Sequence, residues 1–215
     1  VLDVRQSRHH GHRSTGGVWK ALWNARLALA AVILVIGSVQ IANYAWITGL
    51  PNMANGLYQE NSTYVFAITT ATGLIWICSG PFIGALADRL RPSRTFTVLR
   101  ILMIPVMFMP LLYTEPSLVT FAFVMMLGGV VVGFNMSLYN YIAVTLMPRN
   151  IRTTGVALGY ALGVSIFGGT SSYLLVWLIQ QDLFWIFPIY GTAVAVLSVA
   201  AYWTAKKRGH VHIAD

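Results

Sequence analysis

The residues best placed to do chemistry form a charged cluster between two apolar runs, from Gly84 to Arg94. Asp88 is the only acidic residue between Glu60 and Glu115, and Arg89 begins a group of three arginines. An acid at the C-terminal end of a helix is unfavourably placed, because that end already carries partial negative charge. Asp88 therefore needs a compensating partner, and the cluster predicts a loop that makes and breaks an electrostatic contact.

The positive N-terminal end of a later helix offers such a partner. Backbone amides near Gly155 would be free in the first turn of that helix, and Arg152 lies beside them. We expect Asp88 to dock there in one state of the protein and to leave in another. Arg89, as a purely local partner of Asp88, is the alternative.

Polar side chains also lie inside the apolar runs. Spacing of three and four groups them on helical faces: Gln40, Asn43 and Tyr44 in the first run, Asn135 and Tyr139 with Asn140 close by in the fourth, and Tyr160 in the fifth. An amide in hydrocarbon is costly unless it has a hydrogen-bonding partner. Hydrogen bonds between helices or contact with a polar substrate would both satisfy these groups, and the sequence leaves both open.

The elements that must position these residues are membrane helices. Of the 215 residues 57% are hydrophobic and 9% are charged, more apolar surface than a globule of this size can bury. Six runs are long enough to cross a bilayer as helices: about Leu27 to Leu50, Thr63 to Ala87, Phe96 to Tyr113, Leu118 to Tyr141, Val156 to Ile179 and Leu183 to Ala205. The predicted fold is an all-α membrane protein, with a six-helix domain at residues 25–205 between a flexible basic segment at 1–24 and a tail at 206–215.

The distribution of charge predicts the orientation of this domain. All fourteen Lys and Arg lie in or near the two terminal segments and the second and fourth loops, whereas the other three loops contain Glu60, Glu115 and Asp182. The positive-inside rule therefore places both termini in the cytosol. The excess of basic residues on the cytosolic side explains the net charge of +8. The sequence contains no cluster of aromatic and basic residues of the kind that binds nucleic acid, so we expect no nucleic-acid partner.

Small residues, the composition of two runs and one cation inside an apolar run add three expectations. Glycines predict close helix packing in the fourth and fifth runs, at Gly129, Gly133, Gly159, Gly163, Gly168 and Gly169. The third and sixth runs are almost uniformly apolar, which is typical of helices that face lipid. We expect Arg100, about one turn inside the third run, to extend to the cytosolic interface rather than to meet an anionic substrate.

Two motifs resemble a known family. Gly84-x-x-x-Asp88-Arg89 looks like the signature loop of the major facilitator superfamily, in its C-terminal-half copy. The stretch from Pro148 through Gly155 to Thr170 is similar to the helix-eleven signature of the metabolite:proton symporter branch. The resemblance covers all six runs and implies the C-terminal half of a twelve-helix secondary transporter in a bacterial inner membrane. It implies a small polar metabolite and protons as substrates, an N-terminal six-helix half as partner, and no cofactor.

The sequence departs from the family pattern at three places, and at one of them Thr145 stands where relatives often carry a glutamate. Arg91-Pro92-Ser93 stands where the family has Gly-Arg-Arg, so we expect an altered turn. Ser171-Ser172 stands where the family has Ala-Pro, so we expect a helix kink to be lost.

Two other classes of protein compete with a transporter. A membrane enzyme would need convergent acids, a metal cluster or a nucleophile with its base. No acid lies deep within a run, and His9, His10 and His12 lie in a polar tail where solvated histidines are commoner than metal ligands, so we expect neither an enzyme nor a metal site. A truncated or half-size protein that needs a partner half stays an alternative, since a first residue Val is typical of a fragment or processed chain.

Overall fold

The structure is a computed structural model that describes residues 15–89 and 91–209, apart from the side chains of residues 15, 16 and 86–88. Within these residues six helical spans are long and apolar enough to cross a membrane, and we number them one to six: Arg26–Leu57, Ser62–Ala85, Pro92–Leu112, Leu118–Leu146, Arg152–Gln180 and Ile186–Lys207. No strand occurs in the described ranges, and the predicted six-helix, all-α fold is confirmed. The predicted tail residues 1–14 and 210–215, with His9, His10 and His12, lie outside the description.

Three spans combine different helix types. Span one consists of α-helix Arg26–Tyr44, π-helix Ala45–Gly49, a short α-helix Leu50–Asn52 and π-helix Met53–Leu57. Span three is α-helix Pro92–Phe108 followed by 3₁₀-helix Met109–Leu112, and span five contains π-helix Val164–Gly168 between α-helices Arg152–Gly163 and Gly169–Gln180. The helix of span two continues to Arg89. Both π-helices that lie in the middle of a span, Ala45–Gly49 and Val164–Gly168, are at the contact between spans one and five.

A helix precedes span one, at Thr15–Asn24, where the sequence analysis expects a flexible segment. Its apolar residues recur at helical spacing and bury Leu22 against the end of the bundle, next to Ala25. An adjoining face of the helix exposes Trp19 and Trp23. An amphipathic helix with exposed tryptophans is typical of the membrane interface, and burial of its apolar face explains why this segment folds.

The six spans form two layers. One layer contains four spans side by side, in the order two, four, one and five. In the second layer span three packs behind span four, span six packs behind span one, and spans three and six contact each other. Spans one and four therefore occupy the centre, and span two is buried least. Spans three and six expose apolar side chains such as Ile101 and Leu197, as helices that face lipid do.

Trp46 joins the two central spans. Its side chain is fully buried, its indole Nε1 donates a hydrogen bond to the Val124 carbonyl at 3.4 Å, and its ring lies against Gly128. Large aromatic side chains contribute most of the packing energy in such contacts. This contact fixes spans one and four relative to each other.

Candidate functional site

Three of the predicted cavity residues meet where spans four and five approach each other. The Tyr139 side chain lies close to those of Asn140 and Tyr160. Tyr139 is only 5% exposed, whereas Tyr160 is 43% exposed and Asn140 also faces outward. Tyr160 lies about 12 Å along span five from its first residue, so the cluster is inside the apolar zone. Each of the two hydroxyls and the amide can donate hydrogen bonds to a polar ligand and accept hydrogen bonds from it.

A second polar group lies on span one, close to span five. Asn43 Nδ2 donates to Gln40 Oε1 at 2.8 Å, and Asn43 Oδ1 is buried without a hydrogen-bonding partner among the described residues. The Tyr44 ring packs against Gly168 of span five. A buried acceptor without a partner costs about 1–3 kcal/mol, so Asn43 is the group here that a ligand or water would satisfy.

Asn135 lies apart from both groups. Its Nδ2 donates to the Leu99 carbonyl of span three at 3.1 Å and to the Val131 carbonyl of its own span at 3.0 Å. The side chain is buried between spans three and four. Of the two interpretations that the sequence leaves open, the structure places Asn135 in a hydrogen bond between helices.

Gly155, one residue of the predicted docking point for Asp88, already has a hydrogen-bonding partner. The Gly155 amide is not free, because it donates to the Ile151 carbonyl at 2.8 Å, and the Met147 side chain lies against the Gly155 Cα. The helix begins early enough to supply Ile151 as an acceptor for Gly155, so the free amides of the first turn are those ahead of Gly155, at Thr153 and Thr154. The Asp88 side chain lies outside the described part, so its docking stays a prediction.

The other predicted gating residues lie around the ends of spans two, four and five. Arg152 Nε donates to the Met147 carbonyl at 3.2 Å and so caps the C-terminal end of span four, a favourable position for a cation. Arg89 is exposed, and a Cβ at Gly84 would meet no atom within 4 Å. Gly84 is therefore not required by packing within this chain.

The glycines of span four face span two. A Cβ at Gly129 would lie 2.6 Å from Thr72 Cγ2, and one at Gly133 would lie 2.7 Å from Trp76 Cδ1. Trp76 Nε1 also donates to the Gly129 carbonyl at 2.7 Å. A side chain at either position would force the two spans apart, which explains the glycine spacing.

The glycines of span five face span one. A Cβ at Gly159 would lie 2.5 Å from Val32 Cγ1, one at Gly163 would lie 3.2 Å from the Gly37 backbone nitrogen, and one at Gly168 would lie 2.8 Å from the Tyr44 ring. At Gly169 the nearest such atom is a carbonyl oxygen of its own span, at 3.9 Å. Within the described part of the chain, a Cβ at Gly169 would therefore meet no atom of another helix within 4 Å.

Two serines on this contact, Ser171 and Ser172, stand where the family resemblance places Ala-Pro. Ser171 Oγ donates to the Ile41 carbonyl at 2.9 Å, and Ser172 Oγ donates to the Tyr44 carbonyl at 3.3 Å. Both acceptors are on span one. Sequence reasoning missed this role because a serine in an apolar run does not show which neighbour accepts its hydrogen bond.

Arg100 does not extend to the interface, and that prediction is wrong. It is 1% exposed, its Nη2 donates to the Val35 carbonyl of span one at 2.7 Å, and its guanidinium lies 5.0 Å from the centre of the Phe96 ring. Its Nε and Nη1 have no hydrogen-bonding partner among the described residues. The carbonyl and the ring hold the guanidinium at depth, and neither contact is visible in the sequence of span three alone.

Comparison with known proteins adds to this geometry. The family model of the Major Facilitator Superfamily matches residues 2–170, more than half of the chain. The chain belongs to the Major Facilitator Superfamily. It is similar to the alpha-ketoglutarate permease of Escherichia coli (strain K12), with 23% identity over 216 residues, 97% of this chain and 49% of the permease. The chain thus spans about half the length of this curated relative, and no solved structure matches it.

Proposed function

We propose that this superfamily member is half of a secondary transporter that moves a small polar metabolite by alternating access, coupled to protons. The observation that carries the proposal is the Tyr139–Asn140–Tyr160 cluster, in which Asn140 and Tyr160 are exposed polar side chains within membrane spans. Membrane carriers bind substrates near the bilayer midplane between two halves that rock against each other. A second six-helix half would cover this face and complete the cavity.

We place the carrier in a bacterial inner membrane. The charge distribution supports an orientation with both termini in the cytosol and the basic second and fourth loops on the same side. Asp88 follows span two on that side, and Arg152 begins span five there. In this proposal Asp88 docks on Arg152 when the carrier is closed to the cytosol, since the Gly155 amide already has an acceptor. Asp88→Asn should then shift the balance toward the cytosol-open state, as measured by labelling of single cysteines. An unchanged balance and an unchanged rate would refute the gate.

The substrate class is suggested by the relative that is named for alpha-ketoglutarate, a small dicarboxylate. The test is uptake of radiolabelled alpha-ketoglutarate, a betaine and a sugar into vesicles with the complete carrier, with and without an inward proton gradient. The described spans contain no acidic residue at membrane depth, so the proposed second half would supply the proton-binding group. If the rate of uptake were the same with and without the proton gradient, the proposed proton coupling would be contradicted.

The cluster itself is tested by Tyr160→Phe, which removes one hydroxyl and little volume. Loss of one hydrogen bond worth about 1–1.5 kcal/mol should lower transport efficiency by about 5- to 13-fold. Tyr173→Phe is the matched control, because Tyr173 is on the same span and 73% exposed. If Tyr160→Phe and Tyr173→Phe showed equal uptake, the proposal that the cluster contacts the substrate would be refuted.

A further inference from the structure

A groove of about 450 Å³ lies on the outer side of span three, away from the tyrosine cluster. Span two, span three and span four form its walls, with Ile83 on span two and Phe134 on span four. Span three does not lie beside span five, because span four separates them in the bundle. The groove is therefore distinct from the proposed substrate cavity.

One end of the groove is cationic. Arg89, Arg91 and Arg94 line it, all three are exposed, and none forms an ion pair with another residue in the described part of the chain. The helix of span three begins next to Arg91, which adds the partial positive charge of its N-terminal end. Three guanidinium groups and a helix terminus favour an anion, and arginine binds phosphate oxygens particularly well.

The rest of the groove is apolar. Arg94, Val98 and Leu102 follow one another at a spacing of four on span three, so the apolar surface runs about 12 Å from the arginines toward the middle of the span. Val98 is 54% exposed and Leu102 is 47% exposed. A soluble anion would use the arginines alone, whereas a phospholipid would use both ends.

We propose that this groove binds an anionic phospholipid from the leaflet on the side of the second loop. Its phosphate contacts Arg89, Arg91 and Arg94, and one acyl chain lies along Val98 and Leu102 between the walls formed by Ile83 and Phe134. The order of groups along the groove matches that of the lipid, with charge at the interface and hydrocarbon toward the midplane. The contacts that define this site do not depend on the proposed transport function, although Arg89 is also one of the predicted gating residues.

Native mass spectrometry of the purified chain tests the proposal. Phosphatidylglycerol and phosphatidylcholine with identical acyl chains are titrated onto the protein in detergent. The triple variant Arg89→Gln, Arg91→Gln, Arg94→Gln should bind phosphatidylglycerol about 100-fold more weakly, since each basic side chain near an anionic headgroup contributes a factor of about five. The control variant Arg149→Gln, Lys207→Gln, Arg208→Gln removes the same charge at the same side of the bundle and should bind as the unmodified chain does.

A second pair of variants tests the apolar end without altering charge. Val98→Trp should fill the groove and lower phosphatidylglycerol binding at least 5-fold, whereas Ile101→Trp, on a neighbouring face with 57% exposure, should leave it unchanged. Equal loss in the two triple variants, or no loss with Val98→Trp, would overturn the proposal. Displacement of the lipid by soluble glycerol 3-phosphate would also overturn it, because the site would then be one for a soluble anion.

Discussion

At Gly163 span five lies against the backbone of span one, and a substitution there should be far more destabilising than one at Gly169. A Cβ at Gly163 would lie 3.1 Å from the Ile33 carbonyl oxygen and 3.2 Å from the Gly37 nitrogen. Both are backbone atoms, which cannot rotate away as a side chain can. A Cβ at Gly169 would meet only the Val164 carbonyl of its own span, at 3.9 Å.

The two positions make a matched pair for Gly→Leu substitution. At Gly163 the leucine must separate the two helices, and overpacking of this kind costs about 1–3 kcal/mol. We expect the upper end, about 3 kcal/mol, because the opposing atoms belong to the backbone. At Gly169 the leucine points away from other helices, so the cost should stay within about 0.5 kcal/mol.

Thermal unfolding in detergent, followed by circular dichroism at the helical band, measures the difference. For a chain of this length 3 kcal/mol corresponds to a fall in Tm of about 6–12 °C for Gly163→Leu. Gly169→Leu should unfold within about 2 °C of the unmodified chain. If the two variants unfolded at the same temperature, the backbone contact between spans one and five would be refuted.

Three further predictions concern stability in the same assay. Arg100→Met should keep or raise Tm, because the hydrogen bond it loses is offset by removal of a buried charge with two unsatisfied N–H positions, and a fall of more than about 5 °C would contradict this. Burial, with added repulsion from Glu60, raises the pKa of Tyr113, so the folded state keeps the phenol proton to a higher pH than the unfolded chain does. The stability of the fold should therefore be full below about pH 10 and fall above it. Tyr113→Phe should reduce that alkaline fall without loss of stability at neutral pH, since the hydroxyl has no partner among the described residues. Ser171→Ala should cost about 1 kcal/mol by removing its hydrogen bond to span one, whereas Thr170→Ala, which bonds only within its own exposed turn, should cost less than about 0.5 kcal/mol.

The sequence predicts the membrane spans well because the bilayer imposes a simple requirement. A helix in lipid must be apolar over about 20 residues, and that pattern is visible without any knowledge of neighbours. The ends of the spans are less predictable. Span four continues to Leu146, beyond the predicted end at Tyr141, since the residues after Tyr141 are also apolar except for Thr145. The Thr145 hydroxyl is satisfied within the helix by donating to the Ile142 carbonyl.

Contacts between spans are much less predictable from one sequence. Arg100 shows the reason: its burial depends on the Val35 carbonyl, which lies 65 residues away on another span. The same limit applies to Asn135, whose partner is the Leu99 carbonyl. Spacing identifies the face on which a polar group lies, but only packing decides which helix that face meets.

The contrast between Gly168 and Gly169 follows from the π-helix in span five. Gly159 and Gly163 face span one with a spacing of four, but the next residue to do so, Gly168, comes after a step of five, and Ser172 follows after four more. In a regular α-helix a step of five would turn Gly168 about 140° away from Gly163. The π-helix Val164–Gly168 covers this step and widens one turn, so Gly168 returns to the same face and Gly169 turns off it. Two adjacent glycines therefore differ in role because of one extra residue in a single turn, which the glycine spacing alone does not reveal.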